Sequence, residues 1–208
     1  MASTIQVDNI KDIGGNTMIS SNGSGTFTSN LPASAPNVST ATGTLPIANG
    51  GTGATTLAAA GLTNTPNFKI LLTSNQSISN GTETKISFNS TEFDTASGWN
   101  SSSYKYIIPS GQGGLWFIST NARMSGGGNN TMGAGDLNLY KNNDTVAHVG
   151  LTPNTSSAMG IFGAYIGGIF NVSAADEIYV KAYITAGGAR VDGEARFTAL
   201  QGFKLIGA

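Results

Sequence analysis

Three observations predict an all-β chain. Short segments rich in aromatic and branched residues recur from Phe68 onward: FKILL, TKISF, YKYII, LWFISTNA, LNLY, EIYVKAYI and a closing ARFTALQGFKLIGA. Gly, Asn, Ser or Pro separates each from the next, where a helical protein would carry ten-residue amphipathic stretches. The closing segment alternates, with Phe197, Ala199, Phe203 and Leu205 on one face and Arg196 and Lys204 on the other. The first face is expected in a core and the second in water.

The first 66 residues differ in kind. Phe27 is their only aromatic residue, and their apolar residues stand alone or in threes. Ile5, Val7 and Ile10, then Gly14 and Gly15, then Met18 and Ile19 predict two very short strands joined by a glycine turn, too little to close a core. These five apolar residues are the candidates for anchoring the chain to a neighbour. Residues 45–66, LPIANGGTGATTLAAAGLTNTP, read as a Gly/Thr-rich connector in which Leu57 to Leu62 can form a short helix. The expected organisation is therefore an extended arm over 1–44, a connector over 45–66 and a sandwich over 67–208.

Composition narrows the function. Charged residues are 10% of the 208, against about 25% in an average soluble domain. The ten basic residues are scattered through the sequence without a phosphate-binding footprint, so nucleic acid is not expected as a partner. Ser, Thr and Asn must provide much of the solubility, leaving faces able to pack against identical copies. Cysteine is absent, which removes disulfides, thiolate metal sites and thiol catalysis together. The N-terminus lacks the pattern of a secretory signal, and the scattered Asn-x-Ser/Thr sequons are what an Asn-, Ser- and Thr-rich chain produces by chance.

The uncharged stretch AMGIFGAYIGGIF, residues 158–170, has Gly163 and Gly167 at the spacing of helix-dimer glycines but is too short to span a bilayer, which needs about 20 residues. A strand packed through glycines is the expectation, with no membrane insertion. His148 is the one histidine, so neither a two-histidine metal site nor a local acid–base pair is legible. Asp136, Asp144, Asp176 and Asp192 are the acids that could be nominated for calcium, but no spacing makes a binding loop, and no metal, cofactor or catalytic residue is expected. The Gly-rich GGTG and GSGT lack the following helix and Lys of a phosphate cradle.

Two resemblances sharpen this reading. IANGGTGATT, residues 47–56, is similar to a motif repeated in phage tail-fibre proteins ahead of a C-terminal head, and STIQVDNIKDIGGNTMISSNGSG resembles the start of structural proteins of marine phages. Residues 67–208 resemble, in order, the jelly roll of the complement first-component globular head and of tumour necrosis factor. The matching features are Phe68, the Thr-Lys pair before Ile86 and Phe88, Phe93-Asp94 leading to Trp99-Asn100, and YKYIIPSGQGGLWFIS with Pro109, Gly114, Trp116 and Phe117. They continue with the turn after Tyr140, SAADEIYVKAY, and LQGFKLIG. Segments 125–135 and the Gly-rich run after Met159 depart from the pattern as insertions.

The resemblance implies a ten-strand-type jelly-roll sandwich forming a homotrimer, one sheet of each subunit facing the threefold axis. Tyr104, Tyr106, Trp116, Phe197, Leu200 and Phe203 are the trimer-interface candidates; for each aromatic the competing place is the core of its own subunit. The expected function is that of a virion protein, a short trimeric tail or head fibre whose N-terminus docks on capsid or tail proteins. Its knob would meet a host-surface glycan or protein through end loops, with Ser125, Asn129, Asn130, Pro153 and Asn154 as contact candidates. A capsid decoration protein, clamping the shell with the same trimer, is the alternative. A glycan-cleaving enzyme is disfavoured, because neither an acidic cleft signature nor a long β-helical repeat is present.

Overall fold

The structure, a computed structural model, describes residues 9–21, 27–29, 53–54, 56, 60, 65–127, 131–152 and 159–205. The chain divides into two compact units, Met1–Gly53 and Ala54–Ala208, a boundary inside the expected connector. Among the described residues every regular element is a strand, and no helix is long and apolar enough to cross a membrane. The predicted helix at 57–62 lies largely outside them; Ala60 N–H donates to the Thr56 carbonyl at 3.0 Å.

In the first unit β1 (Asn9–Lys11), β2 (Thr17–Ser21) and β3 (Phe27–Ser29) form an antiparallel sheet in that order, so this part of the arm folds back on itself rather than running extended. The β1–β2 turn is held by Asp12, whose carboxylate accepts the Asn16 backbone N–H at 2.8 Å and its side-chain amide at 2.9 Å. Those bonds keep the Asp12 carboxyl below its ordinary value, and Gly15 supplies the positive φ of 82° that the turn requires. Ile13 projects fully into solvent at the tip and Ile10 is exposed, while Met18 and Ile19 are half-buried. Ile5 and Val7 lie outside the described residues.

Among its described residues the second unit is a sandwich of thirteen strands. In chain order they are β4 (Asn67–Leu71), β5 (Gln76–Ser77), β6 (Thr84–Lys85), β7 (Ser90–Asp94), β8 (Trp99–Asn100), β9 (Lys105–Ile107) and β10 (Gly114–Ser125), then β11 (Ala134–Lys141), β12 (Asp144–Leu151), β13 (Ile161–Val172), β14 (Glu177–Thr185), β15 (Arg190–Val191) and β16 (Ala199–Lys204). One sheet runs β5-β15-β10-β16-β4-β7, with β13 paired along the other side of β10; the second runs β12-β11-β14-β9-β8, with β6 paired to β14. The stretch with membrane-like glycine spacing is β13, antiparallel to β10 from Gly114↔Val172 to Ser125↔Ile161.

Period-two alternation builds the core. Phe68 and Ile70, Trp116 and Ile118, and Ile178, Val180, Ala182 and Ile184 point inward from strands of both sheets and are almost wholly buried. Phe68 stacks on Tyr106 at 3.7 Å between centroids, and both lie against Trp116, whose indole N–H donates to the Gln112 carbonyl at 2.9 Å. The closing strand reverses the expectation for its faces: Leu200 is the inward residue, and Gln201 and Phe203 point out. A Cβ at Gly202 would sit 2.9 Å from both the Phe68 ring and the Phe117 carbonyl oxygen, so glycine is what lets this strand lie tight on the core.

Candidate functional site

The outer surface of the β13–β10–β16–β4–β7 sheet is the most unusual feature of the sandwich. A sheet face turned to water normally alternates to polar residues, but here the outward positions are Leu115 and Phe117 from β10, Ile161, Tyr165 and Ile169 from β13, Phe203 from β16 and Phe93 from β7. Strand register places them side by side. Phe117 is paired with Ile169 on one flank and with Phe203 on the other, and Phe203 with Asn67. The Phe117 and Phe203 rings lie 5.4 Å apart. With Phe93 and Gln201 they border a hollow of about 330 Å³. Ile169 is 61% exposed and Tyr165 59%, values that only an unburied apolar residue reaches. The Lys69–Glu92 ion pair at 2.8 Å brings the charge on the β4–β7 side.

The character of this face changes along β10. Gln201 donates to Ser119 at 3.2 Å, and Asn121 donates to the Phe197 carbonyl at 2.8 Å. Farther along, Asp192 is buried beside the sheet and accepts from Arg123 Nε at 2.7 Å, Ser125 Oγ at 2.6 Å and Arg190 Nε at 2.7 Å. Burial opposes its ionisation, but the hydrogen bonds from Ser125, Arg190 and Arg123 outweigh that and hold the carboxyl below its ordinary value. Arg123 and Arg196 lie over the Phe197 ring at 4.0 and 4.6 Å. All three arginines of the chain thus gather at one end of the face.

β13 itself is a long edge. Among the described residues its only strand partner is β10, and IFGAYIGGIFNV contains neither a charge nor a proline. Free edges of soluble sheets are ordinarily blunted by lysine, proline, bulges or short length. Within β13 itself none of those devices is present; from the other sheet the Lys141 ammonium donates to the Asn171 carbonyl near its end at 3.2 Å.

The predicted interface residues divide sharply. Phe203 lies on the apolar face and Phe197 beside it, each partly exposed. Tyr106, Trp116 and Leu200 are wholly buried in the subunit's own core and leave nothing for a partner to touch, a correction to their expected place at an axis. Burial, with the Asp94 carboxylate nearby, pushes the Tyr106 hydroxyl well above its usual range. Tyr104 sits in the turn before β9, on the opposite sheet, with φ 54°. Among the contact-loop candidates, Ser125 ends β10 and is buried against Asp192, so it is structural. Asn129, Asn130, Pro153 and Asn154 lie outside the described residues. Ile169, Phe117 and Phe93 were missed; β13 alternates Ile-Gly-Tyr-Gly-Ile on one parity, a legible signal only once its pairing with β10 is known.

Among the described residues no three His, Asp or Glu side chains converge where they could hold a metal ion. His148 Nε2 lies 3.5 Å from Asp136 across the β11–β12 hairpin, both in reach of water. Asp176 accepts Ser173 N–H and Asn142 Nδ2 at 2.8 and 2.9 Å, shaping the turn into β14.

Comparison with known proteins supports the fold. No protein-family model and no curated protein matches the chain. Similar solved structures include the Eiger TNF from S. frugiperda, at TM-score 0.52 and 10% identity over 68% of this chain and 93% of that one, and murine APRIL at pH 5.0, at 0.51 and 12% over 67% and 98%. The globular domain of zebrafish complement 1qA aligns at 0.46 and 13% over 67% and 97%, too loosely to carry an argument. At these identities the likeness is one of fold: the second unit is an all-β sandwich of the jelly-roll kind.

Proposed function

We propose that the chain is a virion structural protein: a short homotrimeric fibre of a phage tail or head, docked on the particle by its N-terminal unit and presenting the sandwich as a knob to the host surface. One observation carries the assembly part of this reading, the apolar outer face of the β13–β10–β16 sheet. Burying a side chain such as Ile169, Phe117 or Phe203 contributes about 1.5–3 kcal/mol relative to leaving it exposed. A cyclic arrangement of sister copies can cover this face and the neighbouring β13 edge in every subunit at once. The virion part rests on the resemblance of IANGGTGATT and of the opening segment to phage structural proteins. Three rigidly presented heads would raise avidity for a repetitive host surface by about 10²–10⁴-fold over one.

The test is sedimentation equilibrium of the full chain at micromolar concentration, followed by localisation on particles by a density map. A trimer found in a few copies on a tail or head fibre supports the reading. A durable monomer removes the assembly argument, and dense coverage of the shell replaces the fibre with a capsid decoration protein.

A further inference from the structure

A second hollow in the sandwich lies away from the apolar face. It measures about 690 Å³, within the roughly 300–1,000 Å³ of small-molecule sites, and is formed where the β7–β8, β9–β10 and β13–β14 loops meet. Trp99, Asn100, Ser101, Ser110, Ile108 and Ala175 contribute to its lining, and no Asp, Glu, Lys or Arg does. We propose that this hollow binds a neutral saccharide, with the half-exposed Trp99 indole as the platform and Asn100 and the serine hydroxyls as its hydrogen-bonding rim.

The chemistry follows from what the lining offers. An indole has an electron-rich face that attracts the positively polarised C–H groups on the flat side of a sugar ring, and a polar N–H at its edge. The Trp99 Nε1–H and the Asn100 side-chain N–H groups have no hydrogen-bond partner among the described residues, which leaves them for a ligand's hydroxyls. With no charged group in the lining, a phosphate or carboxylate would enter without a counter-charge, whereas a polyol loses nothing. The site is also held in shape before any ligand arrives. The Asp94 carboxylate accepts the backbone N–H groups of Trp99 at 2.9 Å and of Ala96 at 3.3 Å. Asn100 Oδ1 accepts the Ser102 and Ser103 N–H groups at 3.1 and 3.0 Å, which fixes the orientation of its amide. Beneath them Gly98 lies so close to the Tyr106 ring that a Cβ would approach it to 2.5 Å. Ser97 and Ala175 take left-handed φ values of 54° and 70°, conformations that non-glycine residues keep only where their surroundings enforce them. Such preorganisation limits the ordering cost of binding.

This inference goes beyond the virion reading and stands without it. The chain has two tryptophans, and Trp116 is wholly buried, so a change in indole emission on adding sugar reports on Trp99. The full chain is titrated with maltotriose, lactose and N,N′,N″-triacetylchitotriose, with 3′-sialyllactose as the acidic comparison, by fluorescence and by calorimetry. The expected result is a saturable response to at least one neutral sugar that is abolished in Trp99→Ala and unchanged in His148→Ala. Asn100→Asp keeps the acceptor that caps Ser102 and Ser103 and removes the donor, so it should retain the wild-type melting temperature and bind about tenfold more weakly. The proposal is overturned if no neutral sugar gives saturation, if only 3′-sialyllactose binds, or if a folded Asn100→Asp binds as tightly as the wild type.

Discussion

The two outer faces of the sandwich are built on opposite rules. On the β12–β11–β14–β9 sheet the outward positions are polar and mutually satisfied. Tyr140 and Tyr179 stack at 5.0 Å, Lys181 lies over the first ring at 4.3 Å and Lys85 over the second at 4.8 Å. Glu83 accepts from Tyr140, Asn138 and Lys181, and Lys105 is paired with Glu177. The other face shows Phe93, Leu115, Phe117, Tyr165, Ile169 and Phe203 to solvent, with its arginines confined to one end. A chain with only 10% charged residues has distributed them unevenly, and the stretch from Leu115 and Phe117 to Ile169 and Phe203, flanked by charge at its β4–β7 side and its arginine end, is the one suited to contact with more protein.

The sharpest way to break this contrast is to place a charge on each face in turn. Ile169→Lys should cost the proposed trimer about 3–5 kcal/mol per subunit, because an unpaired charge would be enclosed, and shift sedimentation at micromolar concentration towards monomer. Tyr183→Lys on the polar face should leave the assembly state unchanged. Equal behaviour of the two variants would refute the assignment of the faces. Interior and outer aromatic residues are separated next: Trp116→Ala should lower stability by about 3–5 kcal/mol whatever the assembly state, measured by denaturant unfolding. Phe203→Ala should be felt chiefly as dissociation on dilution.

Those two aromatic residues also show what the sequence could and could not disclose. Strands were legible because alternation and punctuation are local: EIYVKAYI announces Ile178, Val180, Ala182 and Ile184 as one buried row, and the structure has that row. Period two says that Leu200 and Phe203 oppose each other; it does not say which is inside. That choice depends on Gly202 meeting Phe68 and on Phe203 meeting Phe117, partners more than eighty residues away in sequence. Trp116 is likewise legible as an aromatic strand residue, but the sequence leaves both an interface and the core open to it, and the structure places it in the core. The Trp99 hollow combines loops near residues 97–110 and 174–175, which no local pattern joins, and the Ser125–Asp192 pair spans 67 residues.

A smaller effect distinguishes the faces by pH. The Asp192 carboxyl at the arginine end of the apolar face, and Asp176 at the turn into β14, both ionise more readily folded than unfolded. A depressed folded value means that the stabilisation is fully present above the unfolded value, near pH 3.9, and is lost as pH falls through the folded one. Melting temperature should therefore be flat from neutral pH down to that range and decline below it, and Asp192→Asn should show a shallower decline from a lower starting point. A decline of unchanged depth would exclude Asp192 as a contributor. The least effect is expected on the polar face, where Glu83→Gln should change stability by about 1 kcal/mol or less, since the groups it joins are partly wet.

On the proposed assembly, the long uncharged flank of β13, touched by a lysine only near its Asn171 end, makes the timing of docking matter. A newly synthesised subunit offers twelve uncharged residues as a template for any passing chain, and two such flanks meeting each other would pair as readily as either would meet its proper neighbour. Productive maturation is then a race between correct docking and mispairing. Recombinant yield of soluble material should depend on expression rate and temperature more steeply than the modest size of the sandwich suggests.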